Sequence, residues 1–234
     1  MAVRFRGDRK PMRVGVFTPL LSQLPLAAVL KKLTALQITT VELATGNYPG
    51  DAHCKLSMLE NPAALAEFKK VLADHGVTIA IEMHPGFVVY SPETMLRLRS
   101  IAGPSVGCNF DPSHLFWQSI DPVAAVRVLE GAIFHVHAKD TQVYPANLSR
   151  TGVLDTKPYT QERERSWIFR TCGYGHGAEW WSEFISTLRM FGYDSVLSIE
   201  HEDSLLSPEE GLTKAANFLN SIVIREEPGA AWWV

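Results

Sequence analysis

The stretch Val77-Thr-Ile-Ala-Ile-Glu-Met-His-Pro85 decides the reading of this chain. Five residues rich in Val, Ile and Thr suit a buried strand. The strand then delivers Glu82 and His84 and stops at Pro85, which cannot donate to a sheet ladder. The same pattern recurs further on. Val106-Gly-Cys-Asn-Phe-Asp111 ends in an aspartate and continues Pro112-Ser-His114. Ile133-Phe-His-Val-His-Ala-Lys-Asp140 ends in two histidines and a Lys-Asp pair, and Ser195-Val-Leu-Ser-Ile-Glu200 ends in a glutamate. Four strands thus offer an oxygen or nitrogen ligand at the same end.

Working outward, helices alternate with these strands. A strand from Arg13 to Thr18 leads to an amphipathic helix over Leu24 to Leu36, with Leu26, Val29, Leu30 and Leu33 at helical spacing. A second strand, Thr39 to Ala44, runs into a loop and then a helix from Asn61 to His75, capped by Gly76. Further helices open at Ser91-Pro92, Asp121-Pro122, Glu179 and Ser207-Pro208. The longest irregular segment lies between Asp140 and Gly177. It is expected to be a loop or lid, with the Gln161-Glu-Arg-Glu-Arg165 run as a solvated face. Six β-α units with strands apolar on both faces predict parallel α/β architecture, of the TIM-barrel type but incomplete, since eight units make a closed barrel.

Composition bounds the function. The chain has 234 residues, 46% hydrophobic and 20% charged, which predicts one globular domain over 1–234, with 1–12 as a flexible extension. A net charge of −3 provides no broad basic footprint, so nucleic acid is not the expected partner. Three widely spaced cysteines without a C-x-x-C pair point to a reducing, cytoplasmic setting. Pro19, Ser22, Gln23 and Pro25 interrupt the apolar run after the basic start, against a signal peptide, and no run is long enough for a membrane span.

If Glu82, Asp111 and Glu200 converge, three carboxylates share a small volume. At about 4 Å and an effective dielectric near 20, each pair repels by roughly 4 kcal/mol. A divalent cation relieves this better than one Lys or Arg, because it accepts several oxygens at once. With neutral His137 the donors suit Mn, Co, Mg, Zn or Fe. Glu42 at the second strand's end is a candidate to face the site. Lys139 and Asp140 are expected to pair with each other or to contact substrate. His135 is assigned to the face opposite His137, as a packed histidine rather than a ligand.

The segments Ile81-Glu-Met-His-Pro, Asn109-Phe-Asp-Pro-Ser-His-Leu, His135-Val-His-Ala-Lys-Asp and Ser198-Ile-Glu-His-Glu-Asp resemble the sugar phosphate isomerase/epimerase family of xylose-isomerase-like TIM barrels. The resemblance implies Glu82, Asp111, His137 and Glu200 as metal ligands, with Glu82 and Glu200 also the catalytic acid/base pair. It implies that His114 and Arg170 touch substrate. The implied reaction is isomerisation or epimerisation of a sugar or related polyol or keto compound, by proton abstraction next to a carbonyl through an enediolate. Family members carry about two further β-α units before the Glu82 strand. An internal deletion, a gene-model error or residues missing from the recorded chain each account for their absence. Exposed sheet edges then favour a homodimer or higher oligomer. The alternatives are an abasic-site endonuclease of the same superfamily and a truncated barrel without turnover.

Overall fold

A computed structural model describes residues 12–38, 40–42, 52, 79–104, 106–226, 229 and 233. Each strand expected among them forms: β1 (Arg13–Phe17), β2 (Thr40–Glu42), β3 (Ile79–Glu82), β4 (Val106–Phe110), β5 (Ile133–Ala138) and, after an excursion, β8 (Val196–Ile199). They make one six-stranded sheet in the order β2-β1-β8-β5-β4-β3, every pair parallel. This is the cyclic order of a β/α barrel, in which the last strand returns beside the first. The arc ends at β2 and β3, the two strands that flank residues 43–78, and it does not close among the described residues. The helix expected over Asn61 to His75 lies outside the described residues, as does the proposed extension except for Met12, which is fully buried.

The helices follow from caps and periodicity. They are α1 (Leu26–Ala35), α2 (Pro92–Ala102), α3 (Pro112–Phe116), α4 (Pro122–Val128), α5 (Pro145–Thr151), α6 (Ala178–Met190) and α7 (Pro208–Ile222). Ser91 and Thr94 form a reciprocal capping box at α2, and Asp121 and Ser207 cap α4 and α7. Trp181, Phe184, Ile185 and Leu188 recur at helical spacing on α6 and are fully buried. Burying each of these side chains contributes about 1.5–3 kcal/mol. Phe184 meets Phe110 of β4 with ring centroids 5.6 Å apart, which ties the helix to the sheet.

The segment after Asp140 is more ordered than its composition predicts. β6 (Asp140–Val143) pairs antiparallel with β7 (Trp167–Arg170), with α5 between them. Arg165, expected in a solvated run, is 2% exposed. Its guanidinium lies over the rings of Tyr159 and Trp167 and donates to the carbonyls of Trp167 and Lys157. The flat, weakly hydrated guanidinium stacks on aromatic faces that the charge run alone did not reveal.

Candidate metal centre

The parallel register brings the carboxyl ends of the strands to one edge. Glu82 pairs with Asn109, and His137 with Ser198, so the residue that follows β8 by one, Glu200, arrives beside His137. One ligand atom from each of Glu82, Asp111, His137 and Glu200 lies within 4.8 Å of every other. His137 Nδ1 stands 3.0 Å from Glu82 Oε1, 3.0 Å from Glu200 Oε2 and 4.0 Å from Asp111 Oδ2.

Each ligand is held by its own element. Asp111 caps α3, its Oδ1 accepting from the Ser113 amide at 2.8 Å, which turns Oδ2 inward. That oxygen is buried and accepts no hydrogen bond. Glu200 Oε2 is also buried and accepts none, although it stands 3.0 Å from His137 Nδ1, as Glu82 Oε1 does. Burial of such oxygens is costly unless something satisfies them. Donors around one ion at about 2.1 Å lie no more than about 4.2 Å apart, so a spread of 4.8 Å closes with small side-chain movements. The residues fit a divalent cation.

A buried ammonium completes the charge balance. Lys139 Nζ is 2.6 Å from Glu202, 3.4 Å from Glu200 and 3.8 Å from Asp111, and lies over the Phe169 ring. Burial acts to lower its pKa, but these three carboxylates override that and hold it well above the usual range. Burial would raise Glu200, yet Lys139 and His137 keep it well below the ordinary carboxylate range. Burial pushes Asp111 up, Lys139 opposes it, and Glu200 and Glu82 push again, to about 8. Two neighbouring carboxyls are therefore driven apart, one ionised and one holding a proton.

His114 sits at the rim of the cluster, with Nε2 3.4 Å from Asp111 Oδ2 and 4.0 Å from Glu82 Oε1. Burial, with Lys139 adding to it, holds its pKa well below the usual value, so the ring is neutral. Arg170 is engaged elsewhere: its Nε donates to Asp203 Oδ2 at 3.1 Å and its guanidinium lies over Tyr174. Glu42 ends β2, two strands from β8, and its side chain lies outside the described residues.

Two expectations are corrected. Lys139 and Asp140 do not pair with each other; adjacent residues of an extended chain point to opposite faces. Asp140 instead accepts from the amides of Thr141 (2.8 Å), Gly173 (3.3 Å), Gly175 (3.2 Å) and His176 (2.8 Å), from His176 Nδ1 (2.7 Å) and from Trp181 Nε1 (3.2 Å). Gly175 is required there, since a Cβ would lie 2.6 Å from Asp140 Oδ1. The second correction concerns His135, which shares the face of His137, with ring centroids 5.7 Å apart, and is half-buried. Residues two apart in a strand project to the same side.

That period of two also locates Asn109 and Glu202, to which the sequence reading gave no role, and His84, which it noted only as an imidazole at the strand's mouth. Asn109 precedes Asp111 by two, His84 follows Glu82 by two and Glu202 follows Glu200 by two. Asn109 Nδ2 stands 3.1 Å from His137 Nε2, the His84 ring is 4.2 Å from that of His114, and Glu202 pairs with Lys139.

The profile of the xylose isomerase-like TIM barrel family matches residues 26–222. The chain belongs to that family. The protein YfiH of Bacillus subtilis is 41% identical over 145 residues, 62% of this chain and 46% of that protein. An inosose dehydratase of Glaesserella parasuis is 32% identical over 79 residues, 32% of this chain and 26% of that one. The chain spans less than half the length of either relative. Among solved structures, a xylose isomerase domain protein from Alicyclobacillus acidocaldarius shares the fold, with TM-score 0.61 and 13% identity, over 90% of this chain and 98% of that one. Among the described residues, no helix is long and apolar enough to cross a membrane.

Proposed function

We propose that this chain is a divalent-metal-dependent isomerase or epimerase acting on a sugar or related polyol or keto compound, by proton abstraction next to a carbonyl through an enediolate. The observation that carries the reading is the convergence of Glu82, Asp111, His137 and Glu200 at the carboxyl edge of a family barrel sheet. The inosose dehydratase relative, named for a polyhydroxy ketone, supports the substrate class. A reducing, cytoplasmic setting belongs to the proposal on the spacing of the three cysteines in the sequence.

Glu82, Asp111, His137 and Glu200 would hold the cation, which when bound supplies polarisation of carbonyl and hydroxyl oxygens. Glu82 and Glu200 approach His137 Nδ1 equally; the Glu82 side chain is 31% exposed and so open to a substrate, whereas Glu200, 15% exposed, keeps Oε2 buried toward the ligand cluster. One takes the proton beside the carbonyl and the other, or the same one, returns it. Lys139 Nζ, 3.4 Å from Glu200 Oε2, keeps that carboxylate ionised. Neutral His114 is suited to a substrate hydroxyl at the rim. Arg170 is assigned to the same task only by way of the loop that Asp203 fixes.

The test is solvent exchange. The full chain is incubated in D2O with Mn2+, Co2+ or Mg2+ and a panel of ketoses and inososes, and deuterium entering next to the carbonyl is followed by proton NMR. The wild type incorporates deuterium, and Glu200→Gln slows this by about 10²–10⁴-fold. Unchanged exchange in that variant sinks the assignment. Among the described residues the arc between β2 and β3 stays open, and a second reading is kept on that account, a barrel that binds metal and small molecule without turnover. Metal binding with no exchange across the panel selects it.

A further inference from the structure

We infer that Asn109 is a positioning residue that sets which nitrogen of His137 faces the carboxylates, and with it the affinity for the cation. The inference rests on the metal-centre reading proposed above.

Asn109 lies on β4, two residues before Asp111, so both side chains project to the same face. It is 8% exposed, and its amide meets Nε2 of His137, the ring nitrogen turned away from the carboxylates. His137 can therefore be a ligand only through Nδ1, the atom 3.0 Å from both Glu82 and Glu200. A neutral imidazole that presents a lone pair at Nδ1 carries its hydrogen at Nε2, and that hydrogen needs an acceptor.

Asn109 supplies it. Its Oδ1 is buried and accepts no hydrogen bond, while Nδ2 points at Nε2. The amide oxygen and nitrogen are nearly the same size, so a half-turn of the amide places Oδ1 on Nε2 with no change of packing. One rotation satisfies the orphaned oxygen and fixes the ligating tautomer. With Nδ2 on Nε2, the hydrogen stays on Nδ1 and is directed at Glu82. Asn109 thus couples amide orientation to metal competence, in the way that partners of a ligating histidine orient it. Phe17 stacks on the His137 ring at 5.7 Å and His135 meets its edge, and both help to hold its plane.

Co2+ is titrated into the full chain and into Asn109→Leu and Asn109→Asp, following heat and the visible cobalt spectrum. The leucine removes the acceptor at similar volume, and the aspartate keeps one. We expect Asn109→Leu to lose about 10–100-fold in Co2+ affinity and Asn109→Asp to stay at or above the wild type. Wild-type affinity in Asn109→Leu overturns the inference while the metal site stands, as does an equal loss in both variants. No binding by the wild type overturns the metal reading itself. A measurement without substitution covers misfolding of the variants: long-range proton–nitrogen NMR of the Zn2+-loaded wild type should show His137 protonated at Nε2. Protonation at Nδ1 refutes the inference.

Discussion

Replacing Asp140 by alanine isolates how the loop beside the site is held. The carboxylate is fully buried and gathers six donors, of which Thr141 N, His176 N and His176 Nδ1 are within 2.8 Å. Hydrogen bonds to a charged acceptor contribute about 1.5–3 kcal/mol each. Counting only the three short ones at the low end sets the loss at about 4.5 kcal/mol. Stabilities of about 5–15 kcal/mol are usual, so the loss removes a large share of the total. The damage is local first, because Gly173, Gly175 and His176 lose their shared anchor. Urea denaturation gives the free energy, and hydrogen exchange at those three amides shows where it is lost. A loss under 1 kcal/mol with exchange protection intact at 173–176 would refute the reasoning.

Two other predictions concern the charge cluster. Lys139→Met leaves Asp111, Glu200 and Glu202 without their ammonium, and breaking such a buried pair costs about 3–5 kcal/mol. Thermal denaturation checks this; the melting point should fall by several degrees, and a variant as stable as the wild type contradicts it. The raised Asp111 pKa of about 8 sets a pH dependence. The folded carboxyl holds a proton that the unfolded chain releases near the ordinary value, so this group's contribution to stability is greatest in acid and is lost as pH rises from about 4 through about 8. Cation binding must displace that proton, so Co2+ affinity should rise about tenfold per pH unit up to about 8, seen by titration calorimetry. A flat profile between pH 6 and 8 contradicts it.

The strands and most helices were legible because their signals are local. Alternation of apolar strands with Pro-opened helices states a parallel α/β order, and β1 to β5 with β8 arrived as read. Glu82, Asp111, His137 and Glu200 were legible because each lies at or within one residue of a strand's carboxyl end, and parallel pairing carries all such ends to one edge. The β6–β7 ribbon was not, since its pairing joins Asp140 to Arg170 across a helix and a charge run. The partners of Arg165 and Asp140 were hidden for the same reason, being set by tertiary contacts rather than by spacing. His135, Asn109, His84 and Glu202 were legible in principle. Counting by twos from each ligand places all four beside the site, and for His135 that rule overturns its assignment to the far face.

The central claim, one cation held by four strand ends, is tested most directly by anomalous diffraction from crystals of the full chain grown with Mn2+ or Co2+. The account predicts a single anomalous peak at about 2.0–2.2 Å from Glu82, Asp111, His137 Nδ1 and Glu200. Crystals grown with the metal in excess that show no peak among these four residues, or a peak that His137 ligates through Nε2, would contradict it.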